Sequence, residues 1–129
     1  MIRYRYVEQL TPPAPFVRVE LRCVATDAKL GPEPAQIDTA ADRTVLPERH
    51  IRALGLLEDD KIYVQGFGGQ VLELPIYLVE VRIHDLTPIR VRVLLGPGEP
   101  HVLLGRDVVN AFPMLLDGPN LALEIQPGG

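Results

Sequence analysis

The chain has no serine, no tryptophan and a single cysteine, Cys23. The absence of serine removes every serine-centred triad. One cysteine excludes an internal disulfide and any cysteine-rich metal site, and it fits a reducing compartment. Cys23 falls in an apolar alternating stretch with no base beside it, so it reads as a core thiol. The three histidines, His50, His84 and His101, share no i,i+4 or His-x-His spacing, and zinc needs three or four ligands. Each reads as a surface or loop residue, and neither a metal nor a cofactor is expected. A net charge of −4 gives no general attraction to nucleic acid or to an anionic membrane. Long apolar runs are missing too, so no segment is expected to span a bilayer. The start, Met1 to Tyr6, alternates charge with apolar residues and lacks the apolar core of a secretion signal. The default expectation is a cytoplasmic protein.

What is present points to one domain over residues 1–129, with 47% hydrophobic and 23% charged residues. Proline (13) and glycine (11) separate short runs of Val, Leu and Ile, as in a mainly β protein with many turns. Residues 1–15 form an N-terminal arm: 2–8 alternate like a short edge strand, and the prolines at 12, 13 and 15 then break it. Residues 16–24 are a clear strand, with Val17, Val19, Leu21 and Cys23 on one face. A loop is expected over 27–34 because of Gly31, Pro32 and Pro34, then strands at 35–38 and 44–46. A helix is predicted over 47–54, with Pro47 in its first turn, Ile51 and Leu54 inward and Gly55 as its stop, before Leu56 and Leu57 pack back on the core. Strands at 61–64 and 71–83 flank Gly66-Phe67-Gly68-Gly69 as a hairpin. Strands at 89–95 and 101–104, a helix from Arg106 to about Ala111, and a final hairpin of 114–116 with 121–125 complete the chain. The tail 126–129 is expected to fray.

With serine, thiol and metal chemistry set aside, carboxylates remain, and Asp38 is the best placed. It ends an apolar run and is followed by small residues: Ile37-Asp38-Thr39-Ala40-Ala41. Two carboxylates sharing one proton can activate water and protonate a carbonyl, because like charges in contact cannot both ionise. A chain with one such aspartate builds the pair by two-fold association, each subunit giving one Asp38. The plainer reading is a strand and a turn in which Asp38 and Thr39 bond the local backbone.

Three stretches in order carry a family resemblance. Ile37-Asp38-Thr39-Ala40-Ala41-Asp42-Arg43-Thr44-Val45-Leu46 resembles the Asp-Thr-Gly-Ala loop of retropepsin-like aspartic proteases. Gly66-Phe67-Gly68-Gly69 is similar to their flap, and Val102-Leu103-Leu104-Gly105-Arg106-Asp107 to their apolar-apolar-Gly-Arg-Asp/Asn element. The resemblance implies an all-β closed barrel with one or two short helices, one lobe per chain. It implies a homodimeric endopeptidase acting on peptide or protein without a cofactor, with Asp38 as catalytic acid. Thr39 would hold the two loops across the axis, and Ala40 stands where the family has glycine. Ala41 and Asp42 would border the cleft, and Gly66, Phe67, Gly68 and Gly69 would close over an extended peptide. Arg106 would pair with Asp42 or a nearby carboxylate and brace the loop. The methyl of Ala40 bears on activity more than on fold. Two other readings stay open: a non-catalytic domain of the same fold that binds extended peptides or mediates dimerisation, and an ordinary β-barrel binding domain.

Overall fold

Alternating Val, Leu and Ile residues fold into a mostly β structure, 52% strand and 10% helix. The computed structural model describes residues 1–127, with the Phe67 side chain outside that description. Gly128 and Gly129, half of the tail expected to fray, therefore lie outside the described residues.

Six strands close a barrel. β2 (Phe16–Arg22), β3 (Lys29–Ile37), β8 (Val102–Leu104), β4 (Val45–Pro47), β7 (Ile89–Gly96) and β6 (Val71–Ile83) are neighbours in that order. The ring closes where β6 returns to β2, with Val81 opposite Leu21. β5 (Glu58–Gln65) pairs with β6 and lies outside the ring. A separate three-stranded sheet joins β1 (Ile2–Arg5), β10 (Ala122–Ile125) and β9 (Met114–Asp117), in that order. Two helices, α1 (Glu48–Ala53) and α2 (Arg106–Val109), complete the described elements apart from one 3-10 turn.

The period-two pattern explains the core. Val17, Val19 and Leu21 on β2 face Val79, Val81 and Ile83 on β6, all essentially inaccessible, while Arg18 points to solvent. Each such side chain contributes about 1.5–3 kcal/mol by leaving water, and together they fill the barrel. Cys23 is buried as a free thiol in the same cluster. No described helix is long and apolar enough to cross a membrane.

Four local expectations need correction. Residues 29–34, expected as loop, belong to β3 despite Gly31, Pro32 and Pro34. The Ile37 N–H donates to the Pro15 carbonyl and the Asp38 N–H to Leu104 on β8. The nitrogen of Pro34 therefore points away from β2, toward an edge where β8 pairs only with residues 35–37, and no ladder donor is lost. Leu57 is 84% exposed while Leu56 is buried, because the extended chain leading into β5 turns successive side chains to opposite sides. Pro47 ends β4 and caps α1 with extended backbone (φ −55°, ψ 146°), one position before the expected one. His50 is not a surface residue but 4% exposed, because it lies one turn before Leu54 on the buried face of α1. Its Nε2 has no hydrogen-bond partner and lies 3.9 Å from Glu33. Burial lowers its pKa below the ordinary value.

Candidate active site

The Asp38 loop is an interruption between two barrel strands. β3 ends at Ile37, the Asp38 N–H extends the ladder to Leu104 (2.9 Å), and the chain then turns. The Ala41 N–H donates to the Asp38 carbonyl (3.2 Å), and the Ala40 N–H donates to Asp38 Oδ1 (3.2 Å). Asp38 is left half-buried, Thr39, Ala40 and Asp42 exposed, and Ala41 half-buried. The turn reading of Asp38 is therefore physically present, and it orients a carboxylate at the mouth of a rigid strand.

What fixes the far side of the loop is a polar knot in an apolar setting. Thr44 is fully buried. Its Oγ1 donates to Asp107 Oδ1 (2.7 Å) and accepts from the Gly105 N–H (3.1 Å), while its own N–H donates to Asp107 Oδ2 (3.0 Å). The Thr44 carbonyl accepts from Leu94 on β7 (3.1 Å). All its polar atoms are thus satisfied, as burial demands. Gly105 makes the closeness possible: a Cβ there would sit 2.5 Å from the Arg43 carbonyl carbon and 3.0 Å from the Ala41 oxygen.

Arg106 differs from its expected partner. Its N–H donates to the Ala41 carbonyl (2.9 Å) and its guanidinium to the Thr39 carbonyl (2.8 Å). Among the described residues it forms no ion pair with Asp42. The carboxylate beside it, Asp107, is already engaged by Thr44, so the guanidinium braces the loop through backbone oxygens. Thr44, Gly105 and Asp107 were read only as parts of a strand and a helix start. A hydroxyl residue inside the apolar run from Thr44 to Leu46 was the one available signal.

The glycine hairpin is built as expected but stands apart from the loop. The Gly66 N–H donates to the Gln70 carbonyl (2.9 Å), and Gly68 and Gly69 have φ of 82° and 77°, which side chains rarely adopt. Below the tip, residues 71–75 pair with β5 alone, so the arm is a two-stranded ribbon. Its root is nearer: Ile76 pairs with Leu94, and Leu94 with Val45, which places the root two strands, about 10 Å, from the loop's exit. Tyr63, Val71 and Leu72 on the arm are exposed. On the other side of the loop, Ile37 and Thr39 join Phe112, Met114 and Leu116 around an open cavity of about 440 Å³.

A family profile described as aspartyl protease matches residues 29–108, spanning the loop, the hairpin and the Gly105-Arg106 element. The chain is similar to EIAV protease complexed with the inhibitor HBY-793, with 25% identity, a TM-score of 0.52, and coverage of 75% of this chain and 86% of that one. It also shares its fold with a retropepsin-like aspartic protease from Rickettsia conorii, with 17% identity, a TM-score of 0.64, and coverage of 98% and 89%. No curated protein matches the chain.

Proposed function

The chain belongs to the aspartyl protease family and has the retropepsin-like fold, and from that premise we propose that it is an aspartic endopeptidase working as a homodimer. Each subunit supplies one Asp38. The two carboxylates meet at the two-fold axis and share one proton, since both cannot ionise in contact. The ionised one takes a proton from water as the water oxygen attacks the peptide carbonyl. The protonated one gives its proton to the carbonyl oxygen. Collapse of the tetrahedral intermediate then delivers a proton to the leaving amine and regenerates the shared pair. The chemistry uses two carboxylates and water, with no covalent intermediate.

The remaining roles are those that the family resemblance implies. Thr39 lies beside the axis and links the loops, and Arg106 positions it through the Thr39 carbonyl. Ala41 and Asp42 border the cleft, and the Gly66–Gly69 tip closes over an extended peptide by backbone hydrogen bonds. The observation that carries this reading is the clamped loop: a half-buried Asp38 at a strand end, held from both sides by the Leu104 carbonyl and by Gly105, Arg106 and Asp107. Such fixation is what acid–base catalysis needs from a scaffold.

Asp38→Asn tests it. The amide keeps the shape but cannot share the proton, so cleavage of an unfolded protein should fall by about 10²–10⁴ while the dimer persists. Undiminished cleavage would mean that Asp38 is not the catalytic group. A dimer that binds extended peptides and never cuts them would favour the non-catalytic reading, for which the exposed Ala40 methyl is the motivating feature.

A further inference from the structure

The outer face of the barrel beside the Asp38 loop carries two charges that no described residue neutralises. Leu46, Val93 and Leu104 are fully buried and point into the barrel, so Val45, Leu94 and Leu103 point out. Leu103, Val45, Leu94 and Ile76 pair across β8, β4, β7 and β6 into one apolar row. The row starts at the strand whose Leu104 carbonyl holds the Asp38 N–H. Ile76 is 3% exposed although it points outward, so the row is sunken.

Each end of the row has its own charge. At one end the Arg43 guanidinium donates to the carbonyl of Arg92, two residues before Leu94 (3.2 Å). Arg92 is itself paired with Asp59, whereas Arg43 is half-buried and has no carboxylate partner among the described residues. At the other end stands Gly96, two residues after Leu94. A Cβ there would collide with Glu99 Cγ and, at 2.6 Å, with Val45 Cγ1, so the Glu99 stem fills the space the glycine leaves and rests beside Val45. Arg49 holds this loop through the Glu99 and Pro100 carbonyls (3.4 and 2.6 Å). The half-buried Glu99 carboxylate is left without an ion pair among the described residues.

We infer that Arg43 and Glu99 determine specificity: the substrate is an extended peptide with an apolar residue seated on Val45 and Leu94, an acidic side chain at Arg43 and a basic one at Glu99. The inference rests on the protease reading and adds which sequences are cut. Arginine presents a planar fork of donors, and the Arg92 carbonyl engages one of its N–H groups, so the others are free for a carboxylate. Glu99 offers two acceptor oxygens to lysine or arginine. Arg92 and Gly96 are about 13 Å apart along β7, with apolar side chains between, so the two charges do not cancel each other. Half-buried charges are screened less than exposed ones, and each therefore discriminates by sign. A homodimer supplies each charge twice, so the preference holds on both sides of the cleaved bond.

A panel of extended peptides tests it, each with an apolar centre and with Glu, Gln or Lys placed at every flanking position in turn. Wild type should favour Glu over Gln at one position and Lys over Gln at another, each by about tenfold in kcat/KM, as one charge-assisted hydrogen bond provides. Arg43→Gln should erase the preference for Glu and keep that for Lys, and Arg43→Lys should restore it. Glu99→Gln should erase the preference for Lys alone. A merely structural role would lower all peptides together and leave these ratios unchanged. If the Arg43 variants fail to fold, the isosteric Glu99→Gln decides alone. A wild type indifferent to charge, or preferences that neither variant moves, overturns the inference. The two claims fail separately. Asp38-dependent cleavage without a charge preference keeps the protease and refutes this assignment. If no peptide is cut, the protease reading fails, and the dissociation constants of the same peptides must show the same ratios for the assignment to stand. Absence of binding as well would overturn both.

Discussion

Thr44→Val is the sharpest probe of what holds the loop in place. Valine matches threonine in shape, so packing is kept and only the hydroxyl is lost. The structure then predicts two deficits: the Gly105 N–H is left buried without its acceptor, and Asp107 loses its 2.7 Å bond. An unsatisfied buried donor costs about 1–3 kcal/mol and a hydrogen bond to a carboxylate a similar amount. Because the two share one atom they do not simply add, and about 3 kcal/mol is the expected loss. For a chain of this length the unfolding entropy is about 0.27 kcal/mol per kelvin, so the midpoint should drop by about 11 °C. Urea unfolding at fixed protein concentration measures it, with Thr44→Ser as the control that keeps the hydroxyl and loses only a methyl. Thr44→Val within about 0.5 kcal/mol of wild type, or less damaging than Thr44→Ser, would refute the assignment of the knot as the loop's anchor.

Two further expectations concern pH and the loop's exposed alanine. The pKa of His50 lies below its ordinary value of 6.5 because burial disfavours the charged ring, with Glu33 opposing. The unfolded chain therefore binds more protons below that pH: the histidine's contribution to stability is intact above 6.5 and is lost as pH falls toward its folded value. Unfolding free energy measured at pH 7.5 and 5.5 should change less in His50→Leu than in wild type, and equal changes would contradict this. Ala40→Gly should leave cleavage equal to wild type or faster, since the methyl is exposed beside the Asp38 carboxylate. A large loss in steady-state rate would show that Ala40 is fitted to the site.

Much of this was legible in short-range pattern. Period-two alternation located β2, the second half of β6, and β7, because a barrel strand buries every other side chain. The glycine tip was legible because Gly68 and Gly69 need positive φ. Asp38 stood out as the one acid ending an apolar run among small residues. Local pattern failed where long-range topology decides. Pro32 and Pro34 look like loop residues until β8 is seen to leave that edge of β3 free. His50 looks exposed until α1 is rotated onto the barrel. The Thr44–Asp107 bond joins residues 63 positions apart, and nothing near either one announces it. A separation of 67 positions likewise hid the choice Arg106 makes between a carboxylate and the Thr39 carbonyl.

The claim on which the account turns is that one active site needs Asp38 from two subunits. Mixing wild-type and Asp38→Asn subunits, allowing exchange, and measuring cleavage of an unfolded protein tests it directly. If the pair is shared, only wild-type homodimers are active, so an equal mixture retains about one quarter of the wild-type rate. About one half, with activity falling linearly as mutant subunits are added, would mean that each chain carries a complete site, and the shared pair would be wrong.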